Sequence, residues 1–175
     1  DCCVLGEWKS TIGKLQNCDN AVYIGGGTGI ADGIILKGKM IDFNARNDVK
    51  RSWELKIPSG ETIESCLSPK WMIHQWNLSQ REKVETLDQL SQNQNANTIF
   101  EKATEAFSFL IQNRTQFFKA NHAKIEKIVI GQRLGIFMAN SKLISLLESN
   151  TDIPLDYSTD RRTAALGAAW KRICS

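Results

Sequence analysis

AVYIGGGTGIADGIIL, residues 21–36, is the stretch of this sequence that decides the fold. One apolar run, residues 21–24, ends in three glycines, and a second apolar run, residues 33–36, follows a few residues later. Short apolar runs separated by a glycine-rich segment are typical of β-strands joined by a turn. The stretch therefore predicts a strand, a glycine turn and a second strand.

The glycine turn is also the strongest candidate for a binding site. Glycines between two hairpin strands allow backbone N–H groups to face an anion, and the Thr28 hydroxyl adds a donor. The stretch is not a Walker loop, because no Gly-Lys-Ser/Thr follows it, and it is not a dinucleotide fingerprint, because a strand and not a helix comes next. We predict that the turn binds phosphate; a glycine-rich hairpin without a ligand is the alternative.

The composition is that of a globular domain, or of a large part of one. The 175 residues are 42% hydrophobic and 23% charged, with a formal net charge of +3. A chain of this length buries roughly 70% of its unfolded surface, so it can fold without disulfides or a structural metal. The apolar runs fall far short of the ~18 residues that span a membrane, and the basic residues are dispersed. We expect a soluble protein with neither a membrane nor a nucleic acid as partner.

The five cysteines form an odd set without C-x-x-C spacing, which argues against a disulfide framework. Reduced thiols, and hence a cytoplasmic location, are the expectation.

Periodicity predicts the remaining elements of the chain. Helices are predicted over residues 2–15, 62–77, 97–119, 139–148 and 161–173, and further strands over residues 40–43, 52–57, 124–130 and 153–155. Pro69 is expected to mark the first turn of a helix, and the Gln- and Asn-rich residues 87–97 are expected to form a linker. Hairpin strands followed by alternating helices and strands predict the α/β class.

Segments in order along the chain resemble motifs of the ROK family of sugar kinases and regulators, within the actin-like ATPase and hexokinase superfamily. Leu5-Gly6-Glu7 looks like the end of the family's N-D-x-N-x-A-x-L-G-E helix. Residues 27–34 (GTGIADGI) and 37–39 (KGK) are similar to its G-T-G-I-G-G-G-I and N-G-K hairpin. Residues 127–131 (KIVIG) resemble its I-V-L-G-G-G strand end, and residues 165–169 (ALGAA) resemble its closing A-L-G-A-A helix.

The resemblance implies a lobe of the actin-like ATPase (ribonuclease H-like) fold, with a mixed sheet of antiparallel hairpin strands flanked by helices. Residues 1–175 would be the C-terminal lobe of a two-lobed protein whose N-terminal lobe is absent from this chain. In that family two lobes close over ATP and a sugar, so the implied activity is ATP-dependent phosphorylation of a sugar. The implied partners are the sugar, the missing lobe and, as an option, a second copy of the chain in a homodimer.

The resemblance also implies the residues of a nucleotide site. The implied phosphate and nucleotide contacts are Gly26, Gly27, Thr28, Gly29, Asp32, Gly131 and Gln132. Mg²⁺ would accompany ATP. Asp32 replaces a glycine of the family, and its carboxylate would either repel phosphates or help to hold Mg²⁺. The family's catalytic aspartate falls just upstream of Asp1, so no catalytic residue is assigned, and Asp1 is expected to cap a helix.

Departures from the family motifs favour a second interpretation. Glu54 is the predicted sugar contact, because residues 53–57 (WELKI) keep the acid of the family's G-E-x-G-H element and lose its histidine. Of the zinc motif C-x-C-G-x-x-G-C-L-E only Cys66-Leu67 remains, so no zinc or other metal site is expected. The alternative function is therefore a non-catalytic relative that binds a sugar or nucleotide as a sensor or scaffold.

Overall fold

A mixed β-sheet organises the chain in the computed structural model, which describes residues 1–141, 147–149 and 151–173. In chain order the strands are β1 (Ala21–Gly26), β2 (Ile30–Leu36), β3 (Lys39–Met40), β4 (Lys127–Gly131) and β5 (Leu155–Tyr157). They lie in the order β3-β2-β1-β4-β5. The pairs β1–β2 and β2–β3 are antiparallel, whereas β1–β4 and β4–β5 are parallel. The predicted α/β class, with an antiparallel hairpin inside a mixed sheet, is confirmed.

Helices cover both faces of this sheet. They are α1 (Cys2–Lys9), α2 (Ile63–Leu67), α3 (Pro69–Ser79), α4 (Leu87–Ser91), α5 (Asn97–Ala120), α6 (Gln132–Ala139) and α7 (Arg162–Ile173). Short 3₁₀ helices lie at Phe43–Ala45, Ser52–Glu54 and Gln94–Ala96. None of the helices within the described ranges is long and apolar enough to cross a membrane.

Side chains of β1 alternate between two hydrophobic cores. Val22 and Ile24 enter the larger core with residues of α2, α3, α5 and α6, and Ala21 and Tyr23 enter a smaller core with Val4 of α1. This alternation follows from the pleat of a strand, in which successive side chains point to opposite faces. Since both faces are covered, the strand is apolar throughout, as the sequence of residues 21–24 indicated.

The crossing of α1 and α7 explains why glycines occur in two segments that resemble family motifs, residues 5–7 and 165–169. A Cβ atom on Gly6 would lie 1.7 Å from the carbonyl oxygen of Thr163, and one on Gly167 would lie 1.7 Å from that of Cys2. The two helices therefore touch backbone to backbone, which only glycine permits. The glycine of the ALGAA segment therefore packs against α1.

Two elements predicted from the sequence were wrong in type or continuity. The strand expected over residues 52–57 is a 3₁₀ helix followed by a single bridge between Lys56 and Thr62. The helix expected over residues 62–77 is broken at Ser68, whose hydroxyl accepts the N–H of Trp71 at 3.3 Å and caps α3. Pro69 is the first residue of α3, as its expected place in a first turn required.

The linker expected over residues 87–97 was also wrong. It contains α4 and a 3₁₀ helix, and it buries Leu87, Leu90 and Ala96 in the larger core.

Other elements have the predicted type, and their ends differ from the predicted ends. The first helix ends at Lys9 and not at residue 15, and β3 ends at Met40, before the predicted end of its strand. Half of the helix predicted over residues 139–148, namely residues 142–146, lies outside the described residues. The long helix α5 and the last helix, α7, lie within one residue of their predicted ranges.

Candidate nucleotide site

The parallel strands bring three turns to one edge of the sheet. Strands β1, β4 and β5 run in the same direction, so their carboxyl ends lie together. The chain leaves them through Gly27-Thr28, Gln132-Arg133 and residues 158–161, and these turns line a cleft of about 470 Å³. A crevice at the carboxyl ends of parallel strands is the usual ligand site of an open α/β sheet.

The glycine turn presents its open side to this cleft. The N–H of Gly27 donates to the carbonyl oxygen of Gly29 at 2.9 Å, which closes the turn and leaves Thr28 exposed at its tip. Of the other predicted glycines, Gly26 and Gly131 are buried strand ends. A Cβ atom on Gly131 would lie 2.3 Å from the hydroxyl of Tyr23, so close packing requires this glycine. Gly27 and Thr28 are thus the predicted loop residues that face the cleft.

A carboxylate that sequence reasoning missed lies against the same turn. Glu64 Oε2 accepts the N–H of Ile30 at 3.3 Å, and a Cβ atom on Gly29 would lie 2.5 Å from that oxygen. Thr62 caps α2 and thereby places Glu64 in its first turn, where an acidic side chain is favoured. The cap is readable from the sequence, but the contact with a turn so far upstream in the chain is not.

Asp32 is not brought to the cleft. Its side chain is fully buried, its Oδ2 atom accepts Arg114 Nε–H at 2.7 Å, and its Oδ1 atom accepts the N–H of Ser52 at 2.9 Å. The remaining guanidinium nitrogens of Arg114 donate to the Lys50 carbonyl and to Asn113 Oδ1, each at 2.8 Å. This position corrects both alternatives offered for Asp32, because its charge is neutralised inside the fold and does not face the cleft.

Glu54 lies at the surface, where it caps the 3₁₀ helix that contains it. Its Oε2 atom accepts the N–H of Arg51 at 2.7 Å. It does not line the cleft, so a role in sugar contact stays a prediction.

Gln132 lies in the cleft and has an unusual backbone. It is the first residue of α6 and has a φ of +60°, in the left-handed region that non-glycine residues rarely adopt. Its Nε2 atom lies 3.5 Å from the sulfur of Cys3, and its Oε1 atom lies 3.1 Å from the place of a Cβ atom on Gly27. The structure thus places the predicted residue Gln132 directly beside the glycine turn.

Two cations border the cleft. Arg133 and Arg161 are exposed and, within the described part of the chain, neither forms an ion pair. The acid of the same turn, Asp160, is held by Arg162 at 2.6 Å, and this hydrogen-bonded contact lowers the pKa of Asp160 to about 2. The free guanidinium groups therefore favour an anion in the cleft.

A second cavity of about 540 Å³ adjoins the first and shares Thr28, Arg133, Ile136 and Arg161 with it. Its further walls come from α3, α4 and α6, and they include Lys70, Ile73, Leu87 and Phe137. Residues 87–91 were predicted to be part of a linker, so this cavity was not expected from the sequence.

Solved structures with the same fold include ROK proteins. The ROK hexokinase from Thermus thermophilus superimposes with a TM-score of 0.71 at 15% identity, covering 99% of this chain and 63% of that one. The ROK family glucokinase from Streptomyces griseus, solved with glucose and AMPPNP, gives 0.70 at 12% identity and covers 97% and 65%. A ROK family transcriptional regulator, a homologue of E. coli MLC, gives 0.67 at 15% identity and covers 98% and 50%.

This chain has the ROK fold. It spans less than two thirds of the length of these structures. No protein-family model matches the sequence, and no curated protein sequence matches it. The fold resemblance inferred from the motif-like segments is confirmed, and it holds for kinases and for a regulator alike.

Within the ROK fold, the acid of the Leu5-Gly6-Glu7 segment forms a hydrogen bond with a residue that lines the cleft. The Glu7 carboxylate is fully buried, accepts the hydroxyl of Ser158, and accepts the N–H of Lys14 at 2.9 Å. It therefore links α1 to the turn that lines the cleft.

The described residues of this ROK fold contain no group of three or more His, Cys, Asp or Glu side chains that could hold a metal ion. Cys66 lies in the larger core next to the hydroxyl of Ser65, and burial raises the pKa of its thiol. This cysteine therefore acts as a packed core residue.

Proposed function

We propose that this chain is the nucleotide-binding, C-terminal lobe of a ROK-type sugar kinase that transfers phosphate from ATP to a sugar. The supporting observation is the cleft at the carboxyl ends of β1, β4 and β5, where an open glycine turn meets two arginines that form no ion pair with any described residue. Backbone N–H groups, a hydroxyl and guanidinium groups are the donors that a polyphosphate requires.

The two adjoining cavities suit the two parts of ATP. The triphosphate would lie against Gly27 and Thr28, with Arg133 between the cavities as a counter-charge. The base would lie in the second cavity, where Ile73 and Phe137 offer apolar wall. Mg²⁺, which proteins bind mainly through substrate phosphates and one or two carboxylates, would arrive with the nucleotide.

The residues of this chain would act by positioning and by charge neutralisation, which provide most of the catalysis in phosphoryl transfer. No general base for the sugar hydroxyl is assigned among residues 1–175. Under this proposal, residues 1–175 form one lobe, and the sugar binds between it and the other lobe.

A sensor or scaffold without catalysis is the second candidate. It is favoured by the lost histidine and zinc ligands around Glu54 and Cys66, and by the ROK regulator that shares the fold. Both candidates use the same cleft, so nucleotide binding tests the site and phosphate transfer separates the functions.

The test is calorimetric titration of the complete protein that contains this chain with ATP and Mg²⁺. Thr28→Val keeps the side-chain shape and removes the hydroxyl, so affinity should fall by about 1.5–3 kcal/mol, or roughly 10- to 150-fold. Thr115→Val, at an exposed position of α5, is the matched control and should leave affinity unchanged. Equal affinity of both variants and the wild type would mean that the turn is only a hairpin.

Sugar phosphate formation from ATP, measured over a panel of hexoses, then separates the kinase from the sensor. Binding without turnover would favour the sensor.

A further inference from the structure

The backbone of Gln132, a residue that lines the cleft, is strained. Gln132 has a φ of +60°, a conformation that glycine would adopt without strain. Residue 132 also bridges to Gly26 alongside β1, so the sheet and α6 together fix its backbone. Backbone strain of this kind persists where the surrounding contacts hold the residue in place, and strained residues cluster at functional sites.

The side chain of Gln132 lies between Cys3 of α1 and the glycine turn. Nε2 donates toward the Cys3 sulfur at 3.5 Å, which directs Oε1 toward Gly27. The amide carbon and Nε2 also lie 3.2 Å from the place of a Cβ atom on Gly25. An anion on the turn would therefore meet a hydrogen-bond acceptor, which phosphate oxygens disfavour.

We propose that Gln132 is a gate that limits binding of a nucleotide polyphosphate: tethered to Cys3, its side chain occupies the space beside Gly27 and must leave before phosphate can bind. This inference rests on the proposed function. It assigns to Gln132 a role opposite to that of a direct phosphate contact, because the side chain weakens binding and does not support it.

The experiment titrates the complete protein and three Gln132 variants with ATP and Mg²⁺, and with inorganic triphosphate as a probe that lacks the base. Gln132→Ala and Gln132→Gly should each tighten binding of both probes by about tenfold, since each opens the space beside Gly27. Gln132→Glu, of the same shape but with two acceptor oxygens and a charge, should weaken it. Gln116→Ala, an exposed glutamine of α5, is the matched control.

Thermal unfolding without ligand separates the effect of the Gln132 side chain on binding from the effect of its backbone strain on stability. Gln132→Gly should raise the melting temperature by a few degrees because it relieves the left-handed strain, whereas Gln132→Ala should not. Tighter binding in both variants with this difference in melting supports the gate.

Weaker or unchanged binding of Gln132→Ala, with ATP still bound by the wild type, would overturn the gate alone. Absence of ATP and triphosphate binding in the wild type and in every variant would overturn the proposed function, and the gate with it.

Discussion

Neutralising Asp32 should destabilise the fold and leave nucleotide affinity unchanged. Asp32→Asn removes the charge that faces Arg114, and both side chains are fully buried. The Asn oxygen can still accept the N–H of Ser52, so the substitution isolates the lost ion pair from the lost backbone contact. What remains is a guanidinium group without a counter-charge inside the protein.

The magnitude follows from the burial of the pair. Removing one partner of a buried ion pair costs about 3–5 kcal/mol, because the other charge stays desolvated. At 1 kcal/mol per roughly 2–4 °C for a chain of this size, the melting temperature should fall by about 6–20 °C. Asp32→Asn combined with Arg114→Met leaves no charge behind, so the double variant should lose less than the sum of the single losses, by about 2 kcal/mol or more.

Urea unfolding followed by circular dichroism measures these losses, and calorimetry with ATP measures binding. Asp48→Asn is the matched control, because it breaks an exposed pair with Arg46 and should cost far less. A small loss for Asp32→Asn, or additive losses in the double variant, would refute the buried pair. Intact stability together with lost Mg²⁺-dependent ATP binding would place Asp32 in the site after all.

Two further predictions concern the helix crossing and alkaline pH. Gly167→Ala forces a Cβ atom to within 1.7 Å of the Cys2 carbonyl oxygen and should cost about 1–3 kcal/mol in urea unfolding, although alanine favours helices. At exposed Ala168 the reverse change to Gly should cost about 1 kcal/mol through helix propensity alone, and a gain in stability for Gly167→Ala would contradict the crossing. Burial raises the pKa of Tyr157 to about 12, so its contribution to stability is complete below pH ~10 and is lost as the pH rises toward 12. Tyr157→Phe should therefore reduce the loss of stability between pH 9 and 11.5, and an unchanged pH profile would contradict the raised pKa.

The central hairpin was predictable because its information is local. The apolar runs and glycines of residues 21–36 specify two strands and a turn without reference to the rest of the chain. Pro69 likewise carries its own positional meaning, since its ring suits the first turn of a helix. In residues 87–97 the local information was present and was misinterpreted: Thr86 and Gln89 form a capping box that begins α4, and this outweighs the Gln- and Asn-rich composition.

The parts of the site that escaped prediction depend on contacts between distant segments. A buried arginine in the middle of α5 gives no sign in the sequence that its partner is Asp32, and without that partner Asp32 looks like a free acid beside a phosphate loop. Glu64 poses the same problem, because only the folded chain brings α2 under the glycine turn. Periodicity and motif spacing carry no information on such pairings.

Asp32 and Gln132 therefore have opposite physical consequences for the cleft. The charge of Asp32 is cancelled by Arg114 within the core, so it leaves the field of Arg133 and Arg161 available to an anion in the cleft. Gln132 has no such compensation: its backbone stays strained, and its side chain projects into the cleft toward Gly27. Substitution at Asp32 should consequently change stability without changing affinity, whereas Gln132→Gly should increase both. If substitutions at the two positions changed stability and affinity in the same way, the charge of Asp32 would influence binding in the cleft. That result would contradict the separation of Asp32 from the cleft in this structure.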